Sequence, residues 1–340
     1  MTRSKFLVGA LAVLLWTSTV WAQRCVESKD MDPATRSAIE STAQQFFQMA
    51  AAGNATGLQQ NSIPSVAQNF GGIASAVQGN ASTLQGAQPQ IRKIFLLDAS
   101  DATATLERAE FYCGVFGAYG HTNTSTAFII PGLPPGKYAI AIVDAQGGQK
   151  PFTISMVLQQ ESGAWKLAGY YAKAGEAAGH DGEWFAQQAR DYQQKGQTRN
   201  AYFYFWQARD LLAPVPFIST LKLDRLYDEM QKVTPPDLPV GGQPATLSVE
   251  GKTIDLTNIY PVPVGNEMDL VVKYKSPDIS DVAKTWASNM AVINALLAKY
   301  PEFREAFQGV VARAVGPDGH DYGTLAPTKQ TPTAPQSASQ

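Results

Sequence analysis

The amino-acid sequence predicts a mixed α+β protein made of several units. Hydrophobic residues first recur at the helical spacing of about 3.6 residues, then alternate as in strands, and then return to helical spacing. A segment from Lys232 to Pro244 holds four prolines and precedes a last stretch of mixed pattern. Helices followed by antiparallel strands are typical of α+β domains. We expect a helix-plus-antiparallel-sheet domain over 30–175, a helical hairpin plus capping helix over 180–232, and a small C-terminal α/β domain over 245–323.

The first predicted helix has clear boundaries. Asp32 can cap it, Pro33 suits its first turn and Gly53 ends it. A weaker helix is expected from about Pro64. The apolar stripe of the first helix consists of Ile39, Ala43, Phe46, Phe47 and Ala50.

Beyond Leu84 the hydrophobic period changes to two, which predicts strands. The last three strands alternate most clearly, and glycine-containing turns separate them. We therefore expect an antiparallel meander with one buried face, packed on the leading helix. The expected strands are 91–98, 103–116, 125–130, 137–145, 152–160 and 164–171.

Helical spacing from Glu183 onward predicts a pair of helices and then a capping helix. The proline-rich segment 232–244 is expected to be a linker. The C-terminal domain should hold strands near 245–250 and 253–259, a further strand around Leu270 to Tyr274, a helix from about Asp281, and a final strand over 307–315. On that helix the predicted apolar stripe is Val282, Trp286, Met290, Ile293, Leu297 and Tyr300. The composition of 324–340 predicts a disordered tail.

The chain begins with the features of an export signal. Arg3 and Lys5 precede an apolar stretch from Phe6 to Val20, and Ala22 is a small residue at a suitable cleavage point. The apolar stretch is too short to cross a bilayer. We therefore predict that 1–22 is a signal peptide cut after Ala22 and that the mature protein is secreted or periplasmic.

Composition argues against nucleic acid or a membrane surface as a partner. The apolar share is 44%, which suits a globular protein, and removal of the signal lowers the formal net charge from −2 to −4. Nucleic acids and anionic membranes are usually met by a strongly basic face. We expect no nucleic acid, no membrane span after signal removal, and a protein or a small apolar ligand as the partner.

The chain has two cysteines, Cys25 and Cys113. In an oxidising compartment they can form a disulfide that ties the new N-terminus to a strand of the first domain. Alternatively, Cys113 is a small buried hydrophobic residue and Cys25 is a free thiol.

Chemistry-bearing residues are sparse. Alternation places Arg108, Glu110 and Tyr112 on one face of a strand. In a dry pocket Glu110 could act as a general base and Tyr112 as an oxyanion donor, and Arg108 could line the same pocket. The alternative is that these side chains face water. The three histidines lack the spacing of a zinc site, so we expect no metal and no cofactor.

An aromatic run, Tyr202 to Trp206, lies within the central helical unit. On a helix these side chains point around more than one face, so this helix is expected to be covered on two sides. Intramolecular packing explains most of that cover. A ligand pocket or partner surface formed by Tyr202, Tyr204 and Trp206 is the alternative.

Two stretches of the first domain carry a family resemblance. The helix with Gln44-Gln45-Phe46-Phe47 and the closing hairpin that ends in 163–170 resemble the nuclear transport factor 2-like superfamily over about 30–175. The resemblance implies a curved sheet that wraps the first helix into a cone-shaped pocket, in members that range from isomerases and dehydratases to non-catalytic binding modules. The stretch 133–138 is similar to a turn of carboxypeptidase-regulatory-like β-sandwiches, which remains the second fold hypothesis.

The central unit resembles one tetratricopeptide repeat of about 34 residues. The spacing of Phe185, Ala189, Tyr192, Ala201 and Phe205 carries this resemblance, with Phe185 where the repeat usually has tryptophan. A single repeat cannot form the long concave groove of an array. A helical spacer packed on its neighbours is the alternative interpretation.

Together these observations favour an exported, non-catalytic binding or assembly module that uses a cone-shaped pocket and a helical hairpin surface. The alternative is a small-ligand isomerase or dehydratase-like enzyme that acts in the cone pocket. A structural component of the cell envelope is a third hypothesis.

Overall fold

The computed structural model describes residues 23–329 and has a mixed α+β fold. The predicted signal peptide and the segment 330–340 lie outside the described residues. Among the residues that are described, no helix is both long enough and apolar enough to cross a bilayer.

Helices and strands alternate in blocks along the chain. The helices are α1 (Pro33–Ala51), α2 (Ala55–Gln60), α3 (Pro64–Ala67), α4 (Gly71–Leu84), α5 (Gly182–Gln194), α6 (Thr198–Leu212), α7 (Leu221–Lys232), α8 (Val282–Lys299) and α9 (Phe303–Ala306). The strands are β1 (Arg24–Glu27), β2 (Gln88–Asp98), β3 (Leu106–Cys113), β4 (Thr126–Leu133), β5 (Lys137–Gln146), β6 (Phe152–Glu161), β7 (Ala164–Ala174), β8 (Glu176–Ala177), β9 (His180–Asp181), β10 (Ile218–Thr220), β11 (Ala245–Val249), β12 (Lys252–Val264), β13 (Glu267–Lys275), β14 (Gly309–Val315) and β15 (Asp321–Pro327).

The first domain is built on a five-stranded antiparallel sheet, here called the central sheet, with the order β1-β2-β5-β6-β7. Its last three strands form the predicted meander. Helix α1 begins as expected, because the Asp32 side chain accepts a hydrogen bond from the Thr35 N–H at 2.9 Å. The apolar stripe of α1, including Phe46 and Phe47, packs on one face of this sheet and is buried there.

A second, smaller sheet covers the other face of the central sheet. This outer sheet has the order β10-β4-β3, and its middle strand pairs Phe128 with Ile218. Phe95 and Ile140 of the central sheet and Phe111 of the outer sheet lie in one core between the two sheets. The prediction of one buried face was therefore wrong. Strand β5 shows this directly, because every residue over 138–143 is buried, as in strands that are covered on both faces.

A disulfide joins the first strand to the outer sheet. The Sγ atoms of Cys25 in β1 and Cys113 in β3 are bonded, with the Cα atoms 5.1 Å apart. The two residues are 88 positions apart in sequence, so the bond closes a long loop of the unfolded chain. Strand β1 itself was not predicted, because four residues next to the expected cleavage point carry too little periodicity.

Removal of this disulfide is expected to lower the free energy of unfolding by about 3–4 kcal/mol, because the unfolded chain regains the freedom of the long loop. We predict that the mature Cys25→Ser variant and the wild type in excess dithiothreitol unfold at the same, lower urea concentration. Equal midpoints for the oxidised wild type and the variant would contradict the prediction.

Helices α5, α6 and α7 share a hydrophobic core with the C-terminal sheet. Phe185 of α5, Phe205 of α6 and Met230 of α7 belong to the same buried cluster as Leu270 of β13 and Phe303 of α9. Asp181 caps α5 by accepting a hydrogen bond from the Trp184 N–H at 2.9 Å. The helical unit and the C-terminal sheet therefore bury one another.

The segment predicted to be a linker is part of this core. Val233, Leu238 and Val240 are buried in it, and Leu238 is 0% exposed. The expectation of a linker over 232–244 was wrong for these residues, because they are buried in the shared core. Prolines restrict the backbone there, while the apolar residues of the segment pack in the core that α6 shares with the C-terminal sheet.

The C-terminal sheet has the order β11-β12-β13-β14-β15, and α8 connects the parallel strands β13 and β14. Strand β15 ends at Pro327, so the predicted disordered tail begins too early at Thr324.

The apolar stripe predicted for α8 is buried only in the C-terminal half of the helix. Trp286 is exposed, whereas Asn289 is buried and hydrogen bonds to the Tyr274 hydroxyl at 2.8 Å and to the Thr324 hydroxyl at 3.0 Å.

An ion pair links β14 to β15 on the sheet face opposite α8. The Arg313 guanidinium donates hydrogen bonds to Asp321, and the Lys273 ammonium lies 3.1 Å from the same carboxylate. The hydrogen bonds from Arg313 lower the pKa of Asp321 to about 2. Because the folded pKa lies below the ordinary value, the resulting stability is present above about pH 4 and is lost as the pH falls towards 2.

We predict that Asp321→Asn costs about 1 kcal/mol at neutral pH, a value kept small because the pair is partly solvated. The variant should also lose less stability than the wild type between about pH 4 and pH 2. Urea unfolding at several pH values measures both effects. Asp255→Asn is the matched control, because its exposed carboxylate lies 3.6 Å from Lys275 on a neighbouring strand. An equal pH dependence in all three proteins would refute the assignment.

Candidate functional site

An open groove of about 540 Å³ lies between α6 and the C-terminal sheet. Three parts of the chain form it: the exposed side of α6, the turn at 239–242, and the middle of β12. Its lining residues are Tyr202, Phe203, Trp206, Pro239, Val240, Gly241, Gly242, Thr257, Asn258, Ile259, Tyr260 and Pro261.

Helix α6 supplies the aromatic wall. Tyr202 and Trp206 are four residues apart and therefore lie above one another on one helix face. Trp206 is 39% exposed, while Phe203 beside it is 1% exposed and anchors the helix in the core. Burial raises the pKa of Tyr202 above its ordinary value.

Strand β12 supplies the opposite wall at a place where the sheet has a free edge. Strand β11 pairs with β12 only as far as Leu256, and the pairing of β12 with β13 shifts between Leu256 and Asn258. Beyond this shift, no described strand pairs with β12 on the side of β11. Pro261 and Pro263 follow in the same strand, as is usual for strand edges, because proline has no N–H to donate.

The turn at 239–242 forms the third wall of the groove, and a cluster of charged side chains holds the segment before it in place. The Arg199 guanidinium donates to Asp237 at 2.6 Å and to Glu302 at 3.0 Å, and it lies 4.5 Å from the centre of the Tyr300 ring. Burial opposes ionisation of Asp237, but hydrogen bonds and charge from Arg199 outweigh it and lower the pKa of Asp237. The segment that leads to Pro239 is therefore tied to α6 at one end of the groove.

The turn at the groove requires glycine. Gly241 and Gly242 have φ values of 60° and 81°, in the left-handed region that other residues rarely adopt. This turn lets the chain leave the core at Val240 and enter β11 at Ala245.

The groove suits binding better than acid–base chemistry. Its described lining residues carry no charged side chain and no histidine or cysteine. They offer aromatic rings, proline rings, and a few neutral donors and acceptors such as Asn258 and Thr257. Pockets of this size and composition are typical of ligand-binding sites.

The predicted residues of β3 lie elsewhere, on the solvent face of the outer sheet. The Tyr112 hydroxyl and the Arg108 guanidinium both donate to the Glu110 carboxylate. The hydrogen bond from Tyr112 lowers the pKa of Glu110, and the same bond raises the pKa of Tyr112. Tyr112 is 55% exposed, so these side chains face water, as in the alternative stated from the sequence, and do not line a dry pocket.

Tyr204 is separated from Tyr202 and Trp206. It lines a second cavity of about 210 Å³, together with His180, Glu267 and Lys329. Its hydroxyl donates to the Ala306 carbonyl at 2.9 Å, and burial raises its pKa. The structure thus brings Tyr202 and Trp206 together at the groove and uses Tyr204 to fasten α6 to α9.

The described histidines do not form a metal site. His121 lies between the Ser125 and Ser219 hydroxyls, at 2.9 and 3.0 Å, and joins the loop after β3 to β10. His180 stacks on Trp184, with ring centres 3.6 Å apart. Within the described part of the chain, no cluster of three or more histidine, cysteine, aspartate or glutamate side chains could hold a metal ion.

Sequence reasoning missed the wall opposite α6. Pro239 belongs to the segment interpreted as a linker, and Asn258 and Tyr260 lie just beyond the predicted strand or at its end. The available signal was Pro261 and Pro263 within an otherwise strand-like run, which marks an unpaired edge. Nothing in the sequence paired that edge with α6.

Comparisons of the chain with protein-family models, curated proteins and solved structures gave no match. The interpretation of the groove therefore depends on its own geometry.

The two aromatic neighbours on α6 are expected to differ sharply in their contribution to stability. We predict that Phe203→Ala lowers the free energy of unfolding by about 3–5 kcal/mol, because it leaves a cavity in the core. Trp206→Ala should cost less than half as much, because the ring is partly exposed at the groove. Thermal and urea unfolding of both variants measures this difference, and equal losses would show that Trp206 is a core residue.

Proposed function

We propose that this chain is an exported, non-catalytic binding module and that the groove between α6 and β12 is its binding site. The observation that carries the proposal is the aromatic wall of the groove, in which the 39% exposed Trp206 stands beside the buried Tyr202. Aromatic side chains that are rigid and only partly covered are the usual anchors of binding sites. The groove volume of about 540 Å³ also falls within the range of ligand pockets.

Export is supported by the bond between Cys25 and Cys113. Stable disulfides form in oxidising compartments and are rare in the cytosol of most organisms. The basic residues and the apolar stretch near the start of the sequence are consistent with export.

The family resemblances are consistent with a binding role. The nuclear transport factor 2-like resemblance, however, implies a binding site in the cone of the first domain and not in the groove at α6. We propose that α1 and the central sheet form a nuclear transport factor 2-like unit and that α5 and α6 form a tetratricopeptide-like hairpin. Side chains such as Ile39, Phe46, Phe47 and Leu158 fill the space between α1 and the central sheet. The proposed binding surface is therefore the hairpin side of the molecule and not the cone.

The alternative of an isomerase or dehydratase-like enzyme requires a base in a water-poor pocket. Glu110 is a poor base, because its pKa is lowered and its carboxylate is already engaged by Tyr112 and Arg108. We therefore favour binding over catalysis.

The proposal is tested by purifying the mature protein from the extracytoplasmic fraction and analysing it by native mass spectrometry. Wild type is expected to carry a bound small molecule or peptide that the Trp206→Ala variant retains at least tenfold less, because the exposed aromatic anchor is lost. The matched control is Glu110→Gln/Tyr112→Phe, which should retain the ligand. Loss of ligand from the control but not from the groove variant would overturn the proposal.

A further inference from the structure

Arg209 lies three residues after Trp206 on α6 and has an unpaired buried nitrogen. Its Nε atom is buried and has no hydrogen-bond partner among the described residues. A guanidinium remains charged at physiological pH, and buried polar atoms in folded proteins are nearly always paired. The Nε–H group of Arg209 therefore lacks an acceptor that the described chain does not supply.

Acidic side chains on the same two helices have other partners. Asp210, the next residue, lies 2.7 Å from the Lys173 ammonium. Glu229 of α7 accepts hydrogen bonds from Arg190 at 2.7 and 2.9 Å. No ion pair joins Arg209 to an acidic side chain within the described part of the chain. Its positive charge is therefore available to a ligand.

The Arg209 guanidinium lies on an aromatic ring that leaves its donors free. The guanidinium carbon is 5.4 Å from the centre of the Tyr227 ring of α7, and Tyr227 is 45% exposed. A guanidinium that stacks on a ring uses its flat face for the contact, and its N–H groups point outward in the plane. The ring thus orients the guanidinium without occupying its hydrogen-bond donors.

This charge borders the groove between α6 and β12. Tyr202, Trp206 and Arg209 are spaced by four and three residues, so they lie on one face of α6. Side chains on a helix lean towards its N-terminus, so the Arg209 side chain extends over the turn that carries Trp206. Burial and the charge of the nearby Tyr227 hydroxyl raise the pKa of Tyr202, which places Tyr227 beside the same face. One positive charge, flanked by two exposed rings, therefore lies at the rim of the groove.

A single cation beside an uncharged groove selects the class of ligand. The described residues that line the groove carry no charge, so the part of the ligand inside it is uncharged as well. The Nε–H and one Nη–H group of an arginine are parallel donors that match the two oxygens of a carboxylate. A phosphate dianion would bring two negative charges to one cation and leave one of them without a partner. A carboxylate matches the charge of Arg209.

We propose that the groove binds an amphipathic carboxylic acid, whose apolar body packs on Trp206 and Tyr202 and whose carboxylate accepts hydrogen bonds from Arg209. The inference rests on the groove being the binding site proposed above, and it names the class of ligand. Arg209 is then the residue that determines specificity, because it distinguishes an acid from a neutral molecule of the same shape.

The test compares 4-phenylbutyrate with 4-phenylbutyramide, two probes that differ in the charge of one end group. The mature protein is labelled with 5-fluorotryptophan and observed by fluorine NMR. The Trp206 signal is assigned with Trp206→Phe, and Trp286, which is exposed on α8 and does not line the groove, is the reference. Both probes should shift the Trp206 signal alone. The acid should bind about tenfold more tightly than the amide, because its hydrogen bonds to Arg209 join opposite charges.

Substitutions of two arginines separate the local contact from general electrostatics. Arg209→Gln should weaken binding of the acid about tenfold, to the level of the amide, and leave binding of the amide unchanged. Arg225→Gln is the matched control, because it removes an exposed arginine from α7 and changes the net charge equally. It should alter neither affinity. Arg209→Lys retains the charge but not the paired donors, and should bind the acid about threefold more weakly than wild type.

The outcomes distinguish this inference from the proposed function. Equal affinity of the wild type for acid and amide would overturn the inference and leave the groove as a binding site. An equal loss of acid binding in Arg225→Gln and Arg209→Gln would overturn it as well, because net charge would then explain the preference. If neither probe shifts the Trp206 signal, the ligand class is refuted. The groove itself is refuted only if the Trp206→Ala variant retains its co-purified ligand.

Discussion

Burial of α6 is the constraint on which the rest of the structure depends. Phe203 packs against both Phe303 and Phe307, with ring centres 6.1 and 6.0 Å apart. The Tyr204 hydroxyl and the Asn200 amide donate to backbone carbonyls of 306 and 302, at 2.9 and 2.7 Å. A helix that is fastened by both apolar and polar contacts cannot rotate about its axis without leaving buried polar groups unpaired. The groove geometry is therefore a by-product of core packing.

The segment after α6 connects the two halves of the molecule. Strand β10 completes the outer sheet, and α7 follows it at once with Thr220 as its cap. Leu223 lies in the core between the two sheets of the first domain, whereas Leu226 and Met230 lie in the core shared with α6. One short helix thus contributes to both cores, and the Ser219 and His121 side chains strengthen this junction. The chain has no simple boundary between its first domain and its helices.

Local patterns predicted the elements, and long-range pairing decided their arrangement. Asp32 and Asp181 mark helix starts that depend on neighbouring residues only, and alternation located β5, β6 and β7. The pairing of Ile218 with Phe128 joins residues 90 positions apart, and no local period contains that information. For the candidate site, the sequence drew attention to the run from Tyr202 to Trp206 but gave no sign of the opposite wall. A proline-rich sequence is found both in linkers and at the edges of strands. Only the three-dimensional structure shows which of the two a given segment forms.

Because the outer sheet includes β10, the first domain cannot finish folding until the chain has been synthesised beyond that strand. Until Ile218 has been synthesised, the middle strand β4 lacks a neighbour on one side, and the apolar surface around Phe128 stays uncovered. A ribosome or translocation channel that releases the chain from its N-terminus must therefore deliver about two thirds of it before the first domain is complete. A gene fragment that ends at residue 175 would encode an outer sheet without β10. We therefore expect the two halves of the chain to be inherited together.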